Sequence, residues 1–109
     1  MASEHSKFAD RLRSRIGVAE GAVTPAELRV GVAARAAGGS AVPEPYETLA
    51  ATVGQASYRV TDQQVAAVRA ALGSDAAAFE ILMAAAVGAG LFRWDNAMRA
   101  LSEVSDAAE

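Results

Sequence analysis

The chain contains no cysteine and only one histidine, His5, among its 109 residues. The missing cysteines exclude disulfides, thiolate metal ligands, redox dithiols and a cysteine nucleophile. A metal site or a Ser-His-Asp triad needs a histidine that neighbouring groups hold in place, and His5 lies in an N-terminal segment that we expect to be mobile. No HExxH, P-loop or GxGxxG motif is present either. The sequence therefore predicts no catalytic residue, no metal and no cofactor.

Long apolar runs and an excess of positive charge are also missing. The formal net charge is -3, which argues against nucleic acid as the main partner. The first residues are polar and lack the apolar core of a secretory signal. The longest uncharged run of the most apolar segment, between Glu80 and Arg93, has 12 residues, whereas a membrane span needs about 20. We expect a soluble, cytoplasmic protein with no membrane partner.

The sequence is rich in helix-forming residues and contains several helix start and stop signals. Alanine fills 28 positions, and no strand pattern of useful length competes. Thr24 with Glu27 and Thr61 with Gln64 match the capping box of a helix N-terminus, and Gly73 is a helix stop. We predict a single all-α domain of about five helices, with N-terminal helices in residues 1–45 and a helical core over residues 46–104.

The first predicted helix, residues 3–16, combines a narrow apolar stripe with basic neighbours. Phe8, Leu12 and Ile16 lie four residues apart, on one helix face. The basic residues around this stripe are Lys7, Arg11, Arg13 and Arg15. Two interpretations stay open, namely a basic arm for an anionic partner and an ordinary solvated helix face.

The longest predicted helix, Ala76 to Val104, is apolar on two opposite faces. The polar tail, residues 102–109, is expected to fray. A chain this short has little with which to cover both faces, so we predict that the helix is the core of an oligomer or of a shared fold. We expect Gly88 and Gly90 to allow close contact between helices. The predicted interface residues are Ala84, Ala85, Gly88, Ala89, Phe92 and Trp94.

Glu80, on the same helix, is the one weak catalytic candidate. If it were buried, its pKa would be raised and it would serve as an acid or base. The alternative is a structural glutamate that pairs with an arginine of another helix. Tyr58 with Arg59 is a second polar pair, although we expect Tyr58 to pack in the core with its hydroxyl bonded.

Residues 61–75 and the helix that follows also have the outline of a helix-turn-helix. The second helix would then read DNA. Its first half offers Asp75, Glu80 and alanines, with no basic or amide side chain to meet phosphates or bases. A DNA-binding regulator therefore stays as a minor alternative.

Two stretches resemble the carboxymuconolactone decarboxylase / alkylhydroperoxidase D-like family. They are Tyr58-Arg59-Val60-Thr61-Asp62, and Phe79-Glu80 followed by residues 84–91, AAAVGAGL. The resemblance covers about residues 56–101. It implies an all-helical fold that assembles into oligomers through helix packing.

Active relatives of this family use a CxxC pair with a nearby histidine and glutamate, or a histidine in the core. This chain has no cysteine, and His5 lies outside the matched region, so the resemblance transfers no catalytic residue. We therefore expect a non-catalytic helical subunit that assembles with itself or with a Cys-containing relative. The alternatives are a cofactor-free peroxidase, decarboxylase or isomerase that uses Glu80, and a helix-turn-helix-like regulator.

Overall fold

The part of the chain that the structure describes folds into five α-helices, as predicted, and one 3₁₀ turn. The computed structural model describes residues 4–18 and 20–108. No strand is present in these ranges. The helices are α1 (Glu4–Gly17), α2 (Ala26–Ala36), α3 (Tyr46–Ala56), α4 (Asp62–Leu72) and α5 (Asp75–Ala108), and the 3₁₀ turn Ser57–Arg59 joins α3 to α4.

Local sequence signals set most helix ends. At α4 the Thr61 hydroxyl accepts the backbone N–H of Gln64, and the Gln64 side chain accepts the N–H of Thr61, so this capping box is confirmed. Gly73 ends α4 with φ 87°, in the left-handed region that glycine favours. Ser74 then caps α5, since its Oγ accepts the N–H of Ala77 at 3.1 Å. The turn between α4 and α5 is thus fixed by its own residues.

The predicted capping box at the start of α2 does not form. The N-cap of α2 is Pro25, with no side-chain cap hydrogen bond, because the Thr24 hydroxyl donates instead to the carboxylate of Glu80 on α5, at 2.5 Å. A tertiary contact has replaced a local one at this helix end.

Helix α2 lies between α3 and α5, and two glycines let all three backbones approach closely. A Cβ added to Gly88 of α5 would lie 2.2 Å from the carbonyl oxygen of Ala33, and one added to Gly54 of α3 would lie 2.3 Å from that of Ala36. Both distances are far below van der Waals contact, so only glycine fits. The predicted close contact at Gly88 is confirmed. At Gly90 the prediction is wrong, because an added Cβ there would meet nothing within 4 Å.

The hydrophobic core lies at these crossings. Its fully buried larger side chains are Val32, Leu49, Val68 and Ile81, with one each from α2, α3, α4 and α5. Small residues fill the remaining space, which suits helices that pack at short distance. The core therefore belongs to a single all-α domain. The part of α5 that is buried in this core lies before residue 92.

The second part of α5 extends beyond the other helices. A helix of 34 residues is about 51 Å long, which accounts for the 54 Å long dimension of the molecule. Residues 96–107 are exposed except for half-buried Met98. The helix includes most of the predicted polar tail, because α5 continues to Ala108.

Helix α5 is also the one described helix that is long and apolar enough to cross a membrane, judged by length and composition alone. The mean hydropathy of its most apolar 18-residue window is 1.6, and 44% of that window is buried inside the molecule. The core helix of a water-soluble protein passes the same test. This feature decides nothing about localisation.

Candidate functional site: the groove between α1 and α5

A groove runs between α1 and the outer face of α5. It consists of two adjoining cavities of about 320 and 200 Å³, and Leu12 and Val87 line both of them. From Phe79 at one end to Trp94 at the other, α5 rises by about 22 Å. This is the length of a helix of about four turns.

The walls of the groove are large apolar side chains that remain open to solvent. Phe8 and Leu12 of α1 are 58% and 46% exposed, and Phe79 and Met83 of α5 are 62% and 45% exposed. Monomeric proteins seldom leave contiguous apolar surface of this kind uncovered, and where they do it marks an interaction site. The groove is therefore the candidate functional site.

Helix α1 forms one wall and is fixed to the domain at few points. Ala9 is its one buried residue. Arg13 bonds to Asp10 at 3.0 Å and also to Asp95 of α5, and the rings of His5 and Trp94 lie 6.1 Å apart. One residue of the predicted basic cluster thus attaches α1 to α5. The basic cluster neither forms a free arm nor is wholly solvated.

The predicted interface residues fall into two groups. Ala84, Ala85, Gly88 and Ala89 are buried beneath the other helices of the same chain. Because a neighbouring chain cannot reach them in this conformation, their assignment to an intermolecular interface is corrected to the intramolecular core. Phe92 is 46% exposed and Trp94 is half-buried, so these two remain accessible.

The sequence predicts both apolar faces of α5, but four of the six predicted interface residues lie on the face of small residues. The face of small residues packs inward, because alanine and glycine let α2 approach closely. The bulky face, which carries Phe79, Met83 and Trp94, points outward along the groove. The difference in residue size between the two faces is the signal that would have separated them.

Glu80, the weak catalytic candidate, is a structural residue in this conformation. Its carboxylate accepts the backbone N–H groups of Val23 and Thr24 at 2.8 and 2.9 Å, and the Thr24 hydroxyl at 2.5 Å. Three donors on one carboxylate occupy most of its acceptor positions. The interaction ties the loop before α2 to α5.

These contacts hold the pKa of Glu80 below its ordinary value. The Thr24 hydroxyl is the largest cause, followed by the N–H of Val23, and the positive charge of Arg29 adds to the effect against the cost of burial. A carboxyl that serves as a general acid near neutral pH needs its pKa raised. The direction of the shift is thus opposite to the one that the catalytic hypothesis required.

Arg29 completes this polar cluster, and the sequence analysis did not identify it. Its side chain is buried and donates to the carbonyl oxygens of Ile16, at 2.7 Å, and of Gly17, at 3.3 Å. It also donates to the carbonyl oxygen of Thr24. A buried arginine among backbone carbonyls fixes the end of α1 to the start of α2. No local sequence pattern announces such a contact.

The other polar candidates do not form a site. Tyr58 is 83% exposed rather than packed in the core, so that prediction is wrong, and the Arg59 guanidinium lies 5.9 Å from the centre of its ring. The short 3₁₀ turn that carries both residues projects from the domain, away from the buried core. In residues 4–18 and 20–108, no three His, Asp or Glu side chains are grouped so as to hold a metal ion.

The helix-turn-helix outline is present as α4, a short turn and α5. The first turns of α5 are committed to the core, since Ala77, Ala78 and Ile81 are buried. The charged side chains there are Asp75 and Glu80. No feature of this surface favours contact with DNA.

Comparison with known proteins gave no relatives. No family model matches the chain, and neither a curated protein nor a solved structure is significantly similar to it.

Proposed function

We propose that this chain is a non-catalytic helical subunit that assembles with other protein chains through the groove between α1 and α5. The observation that carries the proposal is the uncovered apolar face of α5, which the helices of its own chain leave open. Burying apolar surface releases about 25 cal/mol per Å². Two walls of large apolar side chains therefore provide a driving force for association.

The groove resembles the hydrophobic grooves that bind amphipathic helices. An amphipathic helix binds in a hydrophobic groove by placing residues at i, i+3, i+4 and i+7 against its walls. The length of the groove, about 22 Å, suits about four turns of such a helix. The proposed partner is a second copy of the chain or a Cys-containing relative, and the second option rests on the family resemblance of residues 56–101.

The mass of the protein in solution tests the proposal. We expect the wild-type chain to sediment as an oligomer at micromolar concentration, alone or after mixing with such a relative. Leu12→Glu places a charge in the groove and should return the protein to a monomer. Ser14→Glu is the matched control, because Ser14 is exposed on α1 and stands outside the groove lining; it should leave the mass unchanged.

A monomeric wild-type chain under both conditions would contradict the proposal. An oligomer that Leu12→Glu leaves intact would show that assembly uses another surface. Far-ultraviolet circular dichroism of both variants checks that a change of mass does not come from unfolding.

A further inference from the structure

The geometry points to the occupant of the groove: the projecting half of α5, residues 94–108, of a second copy, bound antiparallel with the two Trp94 side chains at a two-fold axis. This inference rests on the proposed function and specifies its partner. The groove and the projecting helix belong to the same chain, so one contact made twice would satisfy both. An interface of that kind is the usual basis of a symmetric dimer.

The projecting half of α5 matches the groove in length. The groove spans residues 79–94 of α5, and the projecting half spans residues 94–108, so the two segments are about 22 and 21 Å long. Packing the projecting half of one copy against residues 79–94 of the other copy would cover the whole groove. It would also cover the solvent-exposed Leu101 and Val104, which are 60% and 68% exposed.

The apolar stripe along α5 favours one register of antiparallel pairing. Outward-facing residues of the groove occur at Phe79, Met83, Val87, Gly90 and Trp94, and the apolar stripe continues on the same helical face at Ala97, Leu101 and Val104. Antiparallel pairing about Trp94 places Leu101 opposite Val87, and it brings Ala97 and Val104 within one residue of the positions opposite Gly90 and Met83. The three contacts thus lie within about 1.5 Å of a single register.

Shape supports the same register. The larger cavity is lined by Gly90, Leu91 and Trp94, and an added Cβ at Gly90 would meet nothing within 4 Å. A second indole needs open space next to the first one. Gly90 and Ala97 provide small side chains on either side of the proposed axis, and this explains an outward-facing glycine within a helix, where glycine costs about 1 kcal/mol relative to alanine.

Charge selects the antiparallel direction over the parallel one. The residues of α1 include four basic and two acidic side chains, whereas residues 94–108 include three acidic and one basic. Arg15 and Met83 line the same end of the groove, and antiparallel pairing brings the acidic end of the second copy there. Parallel pairing would instead place Glu103 and Asp106 beside their own copies, where like charges repel.

Cysteine cross-linking tests this arrangement directly, since the native chain contains no cysteine. One preparation carries Met83→Cys and another carries Val104→Cys, and the two are mixed under mild oxidation. We expect a disulfide-linked heterodimer in the mixture. Each preparation alone is the control and should not cross-link, because two copies of residue 104 would lie about 30 Å apart along the paired helices, far beyond the reach of a disulfide.

The outcomes separate this inference from the proposed function. An oligomer in which the mixture does not cross-link, or in which Val104→Cys cross-links alone, overturns the antiparallel arrangement but leaves assembly intact. A wild-type chain that stays monomeric, alone and with a Cys-containing relative, overturns both. Leu101→Glu should abolish the dimer, whereas Ser102→Glu, at an exposed position on a face of the helix away from the apolar stripe, should preserve it; the reverse result would also overturn the arrangement.

Discussion

The two halves of α5 are parts of one continuous helix, yet they differ in what stabilises them. Before residue 92 the helix is packed on one side by α2, α3 and α4, with Ile81 and Ala85 fully buried. After Asp95 almost every side chain is exposed. The first half is therefore stabilised by tertiary packing, whereas the second half continues a helix that is already formed and depends on the helix propensity of its residues.

Two polar contacts lie at the boundary between the halves. Arg93 donates to the carbonyl oxygen of Gly54 at the end of α3, at 3.0 Å, and Asp95 accepts from Arg13 of α1. The third member of the predicted charged set, Arg99, bonds to Asn96 within the helix itself. Attachment of α5 to the rest of the domain thus ends near residue 95, apart from half-buried Met98.

Replacing Gly88 should have the largest effect. Gly88→Ala places a Cβ 2.2 Å from the carbonyl oxygen of Ala33, and since that oxygen belongs to the backbone, α2 must move. We expect a loss of about 4 kcal/mol or more in the free energy of unfolding, as in the most severe single substitutions. Urea denaturation measures it. Gly90→Ala is the control and should stabilise the folded chain by about 0.5–1 kcal/mol; equal destabilisation by both would contradict the packing described.

Shortening Ile81 should have the next largest effect. Ile81→Ala leaves a cavity in the core and should cost about 3 kcal/mol, within the range for such truncations. Leu101→Ala removes a side chain from the exposed half and should change the stability of the monomer by less than about 0.5 kcal/mol. Both are compared by urea denaturation at a concentration too low for association. Similar costs at the two positions would remove the distinction between the halves.

Neutralising Glu80 should have a smaller effect that depends on pH. Glu80→Gln weakens the bonds from Val23 and Thr24, and we expect a loss of about 1–2 kcal/mol at neutral pH. Because the pKa of Glu80 is lowered in the folded protein from its ordinary value of 4.5, the carboxylate stabilises the fold above that pH. Its contribution is lost as the pH falls through the lower folded value.

The pH profile of the free energy of unfolding checks this prediction. The difference between wild type and Glu80→Gln should be greatest at neutral pH and should shrink in acid. Glu27→Gln, an exposed glutamate of α2, is the control. A difference that does not change with pH would contradict the assigned role of the carboxylate.

Removing most of the projecting half, by deletion of residues 99–109, should have the smallest effect on the fold. A chain that lacks residues 99–109 keeps every core residue named above and should differ from the full chain by less than about 0.5 kcal/mol when both are monomeric. The same deletion should abolish association, because it removes Leu101 and Val104. Sedimentation and urea denaturation on one preparation measure the two effects, and a large loss of stability in the dilute monomer would show that the second half supports the core.

Much of the fold could be predicted from the sequence, because its signals are local. The capping box at Thr61 and the stop at Gly73 depend on residues a few positions apart, so they form wherever the chain goes. Thr24 shows the limit of this reasoning. Its local environment matches a capping box equally well, but Glu80, which is 56 residues away, takes its hydroxyl.

The candidate site could be predicted only in part. Periodicity identified two apolar faces on α5 and an apolar stripe on α1, but not which face would be covered. The answer depends on how closely α2 approaches at Gly88, a long-range contact. The predicted burial of Tyr58 was wrong for the same reason. An aromatic residue in a short turn is exposed or buried according to which segments pack beside it.

Local sequence patterns are sufficient to predict the helices and their order, the lack of thiol chemistry and the two apolar faces of α5. Hydrophobic spacing and helix start and stop signals act over a few residues, so they can be recognised in a single chain. Long-range packing instead sets the burial of the small-residue face, the role of Glu80 in holding the loop before α2, and the open groove between α1 and α5. These features depend on backbone distances between segments far apart in the chain, and no local pattern encodes those distances.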